Sequence, residues 1–290
     1  MGIVFGLLSA LGWGLGDFVS RFASRQLGAY RTVFYFNLIG LAGVGLYVLL
    51  SGELVRRLEG GTPSAWLWLL AASVTGNIAS LALFKAFEHG VLALVSPISS
   101  SYSALTTALA VLSGERLGTV QWIGLGVVLL AIVLASVHLD EHPHPVRKHR
   151  GLPPGVGWAL LASLCFGLTY WMLGFYVVPA LGSFVPNVVS TLVGLGLLWA
   201  ASGPMKERLT LPPRGSWGLL ALIAFLLNFG AIVNNLGLEV AEVSVVTVVS
   251  SLYTALTVLL ASVFLRERLA KHQWAGVGLA LVGIGLVNLK

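Results

Sequence analysis

The chain has 290 residues, of which 57% are hydrophobic and only 10% charged, and its mean hydropathy is +0.91. A soluble domain carries about a quarter charged residues, so this chain lacks the polar surface to coat a globule in water, and its solvent is expected to be lipid. The net charge of +6 then reads as loop charge distributed across a membrane, and no nucleic-acid partner is expected.

A bilayer span needs roughly 20 mainly apolar residues. Ten segments qualify, at about 2–22, 30–51, 64–87, 91–112, 119–138, 155–177, 180–202, 215–238, 242–264 and 271–289. The opening run has no basic stretch before it and no cleavage site, so it reads as a retained first helix. Cys165, the one cysteine, lies inside an apolar run and has no internal partner. Most linkers are short and carry turn or charge signals, as at Gly60-Gly61-Thr62-Pro63. The longest polar stretch, 140–154, holds Arg147, Lys148 and Arg150 and divides the chain into a first unit, 1–139, and a second, 155–290. The expected fold is an all-α polytopic membrane protein with ten transmembrane helices.

The two units repeat each other. Ser99, Ser100, Tyr102, Ala104, Leu105 and Thr106 recur 151 positions later as Ser250, Ser251, Tyr253, Ala255, Leu256 and Thr257. Glu115, Arg116, Leu117, Gln121 and Trp122 recur at an offset of 152 as Glu267, Arg268, Leu269, Gln273 and Trp274. Apolar helices resemble one another, but matched Tyr, Thr, Glu-Arg-Leu and Gln-Trp positions require a duplication. A unit with an odd number of spans is followed by a copy inserted upside down. Two inverted five-helix repeats of this kind place a substrate site near the membrane midplane.

Lys and Arg gather on one side. Arg21, Arg25, Arg31, Lys85, Arg147, Lys148, Arg150, Lys206, Arg208, Arg214, Arg266, Arg268 and Lys271 follow odd-numbered spans, against only Arg56, Arg57, Arg116 and Lys290 on the other side. The first side is expected to be cytoplasmic, with 140–154 a cytoplasmic linker and both termini outside.

Asp17 is the sharpest functional candidate, because an ionisable group inside a span normally faces a cavity or a partner. Ser9, Trp13, Asp17 and Ser20 share one helical face. That stripe joins an aromatic ring to a carboxylate, as an amino-bearing substrate would need. The alternative is a structural Asp paired with Arg21 at i+4. Asn77 and Asn228 are repeat-related at offset 151, and Asn235 shares a face with Asn228; each is either cavity lining or interhelical glue. Tyr102 and Tyr253 sit in identical polar stripes, read as a shared gate, cavity wall or packing surface. Phe166, Tyr170 and Trp171 correspond to Trp13, Asp17 and Phe18 at offset 153. Pro97 and Pro186 are expected inside spans. The Glu-Arg-Leu turns read as helix caps, and Lys85 with Glu88 as interfacial. His142 and His144 lack a third ligand, so no metal site and no cofactor are expected.

The doubled pattern of a Tyr-containing small-polar helix, Gly-Glu-Arg-Leu or Arg-Glu-Arg-Leu, then Gln-Trp-x-Gly-x-Gly, together with Trp13-Gly14, resembles the EamA-type members of the drug/metabolite transporter superfamily. The resemblance covers essentially the whole chain. It implies a secondary carrier for small metabolites, commonly amino acids or their relatives, often an exporter, in the prokaryotic cytoplasmic membrane as a monomer or weak dimer. Protons are the candidate coupling ion. Related small multidrug transporters carry a proton-coupling Glu in the first helix; here Trp13 stands at about that position and Asp17 one turn further on. An uncoupled facilitator and an exporter of lipophilic cations are the alternatives, with an intramembrane lipid-modifying enzyme a remote third.

Overall fold

A computed structural model of the chain describes residues 1–90, 92–136, 154–204 and 206–264, with positions 275, 278, 279, 282, 283 and 286. The described residues contain helices and no strands. Most of the linker at 140–154, the second Glu-Arg-Leu turn and most of the tenth span lie outside them.

The helices are α1 (Gly2–Leu27), α2 (Ala29–Leu50), α3 (Glu53–Gly60), α4 (Pro63–His89), α5 (Leu92–Ser100), α6 (Tyr102–Leu112) and α7 (Thr119–Ser136) in the first half. The second half has α8 (Val156–Leu181), α9 (Val185–Ser202), α10 (Trp217–Val240), α11 (Val243–Ser250) and α12 (Tyr253–Phe264). Among the described residues, seven helical stretches are long and apolar enough to cross a bilayer, and Ile98–Leu112 and Thr119–Ala131 are shorter apolar helices. The protein is therefore an all-α polytopic membrane protein, since only hydrogen-bonded helices or closed barrels satisfy the backbone in hydrocarbon.

Local chemistry sets the boundaries. Gly28 takes φ 84°, a left-handed turn that reverses the chain between α1 and α2 within one residue. Thr62 caps α4 by accepting from Ala65 N at 3.4 Å, with Pro63 in the first turn, where its missing N–H costs nothing. Two expectations need correction. The seventh span starts at Val185 and not near 180, because α8 runs on to Leu181 and Gly182 turns the chain at φ 72°. Pro186 then falls in the first turn of α9, so it kinks nothing. The short helix α3 is an addition that apolar run lengths do not reveal.

The fourth and ninth spans are each broken at the same place. α5 gives way to α6 at Ser101, and α11 to α12 at Ser251–Leu252. Around both breaks serine hydroxyls donate to carbonyls three residues back: Ser99 to Ser96 at 2.8 Å, Ser101 to Ile98 at 2.7 Å, Ser250 to Thr247 at 3.0 Å and Ser251 to Val248 at 2.7 Å. Such back-bonding competes with the helical ladder and bends it. The backbone answers with tightened three-residue turns, Ala104 N to Ser101 O and Thr254 N to Ser251 O.

The packing is paired across the halves. α1 lies along α10 and against α11 and α12, while α8 lies along α4 and against α5 and α6. Small residues permit the approach: a Cβ on Gly12 would stand 3.0 Å from the Cα of Gly230 in α10.

One end of the bundle gathers basic side chains. Arg25 donates to the carbonyls of Phe87 and Gly90, Arg31 to those of Thr210 and Leu211, and Lys85 pairs with Glu88 at 3.6 Å and Glu207 at 3.5 Å. Arg57 lies elsewhere, against the Gly182 turn between α8 and α9.

Candidate functional site

A cavity of about 190 Å³ lies where the halves meet. Its wall takes residues from α1, α2, α4 and α6 in the first half and from α8, α9, α10 and α12 in the second.

Trp13 and Asp17 come from the buried face of α1 that also carries Ser9 and Ser20. The Trp13 ring lies 5.4 Å from that of Tyr170 and 6.2 Å, edge on, from that of Tyr253. Tyr102 extends the cluster, 5.1 Å from Tyr170 and 5.9 Å from Phe166. Three repeat-related pairs thus meet here: Trp13 with Phe166, Asp17 with Tyr170, and Tyr102 with Tyr253. The middle pair is unequal, a carboxylate in one half against a phenol in the other. Asp17 is 4% exposed, and among the described residues it makes no ion pair or hydrogen bond. The pairing with Arg21 weighed from the sequence is not formed.

The asparagine amides are anchored to backbone carbonyls. Asn77 Nδ2 donates to the carbonyls of Ser73 and Ser190, each at 2.8 Å, and Asn228 Nδ2 to that of Ala224 at 2.7 Å. Asn235 donates to Ser183 O at 3.0 Å, tying α10 to the turn before α9. All three line the cavity. Asn234, beside Asn235, does not; it is 1% exposed and its amide has no partner among the described residues.

Nine of the ten residues singled out from the sequence stand on this one wall. Trp171 is the exception and a correction. One residue further round α8 than Tyr170, it is turned by about 100° and faces away, donating from Nε1 to Ser113 Oγ at 2.8 Å and meeting Trp68 and Tyr176. Sequence reasoning missed Asn37 on α2 and Asn187, Ser190 and Thr191 on α9, which also line the cavity. Asn37 and Asn187 are 150 positions apart, close to the repeat offset, and that spacing was the available signal. Asn187 Nδ2 is buried without a hydrogen-bond partner among the described residues.

Outside the membrane-spanning helices, the first Glu-Arg-Leu turn does cap a helix. Glu115 accepts from Ser244 N at 3.3 Å and from its hydroxyl, at the start of α11. Burial pushes its carboxyl above the usual carboxylate range, the Ser244 bonds oppose that shift, and Glu242 adds to it. Among the described residues no group of three or more His, Cys, Asp or Glu is placed to hold a metal ion.

Helices of bilayer length enclosing a polar, aromatic-walled cavity define a polytopic membrane protein. The chain belongs to the EamA-like transporter family, which matches residues 1–137 and again residues 153–289. It is 30% identical over 291 aligned positions to the protein named "Uncharacterized transporter sll0355" of Synechocystis sp., covering 92% of this chain and 84% of that one. It is 27% identical to "Uncharacterized protein MJ1333.1" of Methanocaldococcus jannaschii over 136 residues, 47% of this chain but 96% of that protein. A solved structure titled only as the crystal structure of a protein superposes with a TM-score of 0.74 at 17% identity, over 99% of this chain and 96% of that one, a likeness of fold alone. Family and relative alike point to a membrane transporter.

Proposed function

We propose that the protein is a secondary carrier of a small amphipathic metabolite, built from two inverted five-helix repeats and exporting by alternating access through the central cavity. The observation that carries this reading is the composition of the cavity wall, to which both halves contribute repeat-related residues, Asn77 with Asn228 and Tyr102 with Tyr253. A site on a pseudo-two-fold axis can be exposed to either side by exchanging equivalent contacts. The family's separate match to each half, and a relative the length of one half, support the duplication. The matched breaks at Ser101 and Ser251–Leu252 supply flexing points in the two spans that border the site.

The family resemblance favours amino acids and their relatives as cargo, carried across the prokaryotic cytoplasmic membrane by a monomer or weak dimer. The gathering of Arg25, Arg31 and Lys85 at one end supports a cytoplasmic face there, with both termini outside. Asp17 is the group through which protons would couple, being the ionisable carboxylate on the wall.

The test is uptake into proteoliposomes of labelled amino acids, their amine relatives and lipophilic cations, with and without a pH gradient, for the native chain and Asp17→Asn. Gradient-driven accumulation that is lost in Asp17→Asn is the expected result. Equilibration that ignores both the gradient and the substitution would establish a facilitator instead, and no uptake of any compound would sink the carrier reading.

A further inference from the structure

A second groove runs between α2 and α10, along α2 from Ile39 to Tyr47 and along α10 from Ala221 to Ile232, with Phe184 at its far end. The repeat register pairs this seam with the one between α4 and α9, and the two are built differently. In the α4–α9 seam the Ser73 and Ser190 hydroxyls meet at 2.8 Å, Asn77 Nδ2 donates to Ser190 O at 2.8 Å, and a Cβ on Gly194 would fall on the Asn77 amide. At the offset of 151, Ser73 corresponds to Ala224, Ser190 to Ile39, Asn77 to Asn228 and Gly194 to Gly43. Both hydroxyls are absent from the α2–α10 seam, and among the described residues no hydrogen bond joins these two helices. A Cβ on Gly43 would meet nothing within 4 Å. The seam stands open as a groove of about 570 Å³, too large to stay empty beside close-packed helices.

We propose that this groove is a phospholipid site, holding one acyl chain with its tip near Asn228 and its phosphate beside Arg57. The proposal goes beyond the carrier reading and does not rest on it. The groove opens outward between two helices of bilayer length, and Phe225 on its wall is 65% exposed, so hydrocarbon is what meets it. Apart from the Asn228 amide and the Tyr47 hydroxyl the lining side chains are apolar, which suits a chain and not a headgroup. The stretch of α2 from Ile39 to Tyr47 rises about 12 Å. That is close to the depth of one leaflet, half of a hydrocarbon core of about 30 Å. Beside the groove α2 widens into a π-type turn over Leu41–Gly45, a feature that recurs at functional sites. The mouth lies at the end of α2 away from Arg31. There the Tyr47 ring stands 4.9 Å from that of Phe184, as aromatic side chains do at the level of the headgroups. A Cβ on Gly182, two residues before Phe184, would stand 2.7 Å from Arg57 Nη2. The guanidinium is therefore at the mouth, with the fork geometry that receives phosphate. The deep end reaches the central cavity, because Asn228 lines both spaces and a Cβ on Gly40 would stand 2.5 Å from its Nδ2. The Asn228 amide, lodged against the α2 backbone, separates cargo space from lipid space, and the acyl chain packs on its lipid side.

The experiment places the full chain in vesicles of phosphatidylcholine and phosphatidylglycerol doped with a phosphatidylcholine whose acyl chain ends in a diazirine. After illumination, mass spectrometry of the peptides locates the adducts. Gly43→Leu fills the groove without a clash, and Gly196→Leu sets the same side chain on an open glycine of α9 outside it. Adducts on Ile39–Val44 and Ala224–Asn228 are expected in the native chain and in Gly196→Leu, and their loss in Gly43→Leu. Stripping lipid is expected to lower the Tm of the native chain and of Gly196→Leu more than that of Gly43→Leu, whose leucine takes the place of the chain. A diacylglycerol carrying the same photoreactive chain lacks the phosphate and is expected to label the native groove less. That comparison uses the native chain alone, so a variant that fails to fold leaves the test intact. Absence of adducts from both segments of the native chain would give the groove to another occupant, a cargo tail or a second copy of the chain, and overturn the proposal. Equal labelling of the native chain and Gly43→Leu, or an equal fall in their Tm, would overturn it as well. Equal labelling by the two lipids would remove Arg57 and the phosphate from the site.

Discussion

Thr257 Oγ1 donates to the carbonyl of Gly14 at 3.2 Å, and Thr106 Oγ1, 151 positions earlier, donates to that of Gly167 at 3.0 Å. The first bond joins α12 to α1 and the second joins α6 to α8, beside the cavity in each case. At both contacts a leucine next to the threonine occupies the space over the glycine: a Cβ on Gly14 would stand 2.8 Å from Leu256 Cδ2, and one on Gly167 2.7 Å from Leu105 Cδ2. Thr257→Val keeps the shape and removes one interhelical hydrogen bond, worth about 0.6 kcal/mol on average in membranes. Gly14→Ala forces the helices apart and is expected to cost about 1–3 kcal/mol, the range for overpacking. Unfolding in mixed SDS micelles measures both. Leu256→Ala should recover most of the Gly14→Ala loss; no recovery would mean that the leucine is not what sets the helix separation.

Asn77 provides a sharper steric contrast. A Cβ on Gly194 would fall on Asn77 Oδ1, whereas one on Gly196, two residues along the same helix, meets nothing within 4 Å. Gly194→Ala therefore has to displace the Asn77 amide, break its bond to Ser190 O and disturb the cavity wall. Gly196→Ala should be neutral or stabilising by about 0.5–1 kcal/mol, the ordinary helical preference of alanine over glycine. The expected outcome is loss of transport and of thermal stability in the first variant and neither in the second. Equal behaviour of the two would remove Asn77 from the packing argument.

These contacts show what a sequence of this kind exposes and what it hides. The class of fold was legible because lipid leaves a chain two ways to satisfy its backbone, and the apolar runs chose one. Part of the cavity wall was legible because duplication marks a position twice: Tyr102 and Tyr253, or Asn77 and Asn228, stand out where a lone tyrosine or asparagine would not. Trp171 was misread because adjacent aromatics differ by about 100° round a helix, and composition does not say which one faces inward. Asn37 and Asn187 were passed over because their helices, α2 and α9, carry weaker repeat identity. The breaks at Ser101 and Ser251–Leu252 were hidden because the apolar run continues through them, and only the serine back-bonds betray the change of geometry. The start of α9 was masked in the same way by a turn, at Gly182, set inside unbroken hydrophobicity.

Glu115 joins the loop after the fourth span to the start of the ninth, and its two acceptor roles separate by substitution. Glu115→Ala leaves Ser244 N and its hydroxyl without their acceptor and is expected to cost about 1 kcal/mol, as for a lost N-cap. Glu115→Gln keeps an acceptor oxygen and removes the charge. Because burial raises the Glu115 carboxyl above its unfolded value, the folded protein holds that proton more tightly than the unfolded chain does. This contribution to stability is complete below the unfolded value and is lost as pH rises through the ordinary carboxylate range to the raised one. Native and Gln variants should thus be closest at the acid end, with the variant gaining relative to the native chain as pH rises towards neutrality. A difference that is flat with pH would show that Ser244 fully compensates the burial.

Arg25 and Glu88 hold together the end of the bundle where the basic side chains gather. Arg25 Nη2 donates to Gly90 O at 3.0 Å, and Glu88 Oε2 accepts from Ala29 N at 3.0 Å, so the turn between α1 and α2 is pinned to the end of α4 from both directions. Hydrogen bonds to charged groups are worth about 1.5–3 kcal/mol each, enough for one of them to shift a two-state opening about tenfold. The single cysteine makes the measurement direct. Cys165→Ser gives a cysteine-free chain, and Ser80→Cys places one thiol on the cavity wall. A membrane-impermeant maleimide applied to the Arg25 side should label it slowly. Adding Arg25→Ala or Glu88→Ala should raise that rate about tenfold, while labelling from the opposite side falls or stays level. Rates unchanged by either substitution would mean that these contacts only order the turn, and that whatever closes this end against solvent lies deeper, among the side chains of the cavity itself.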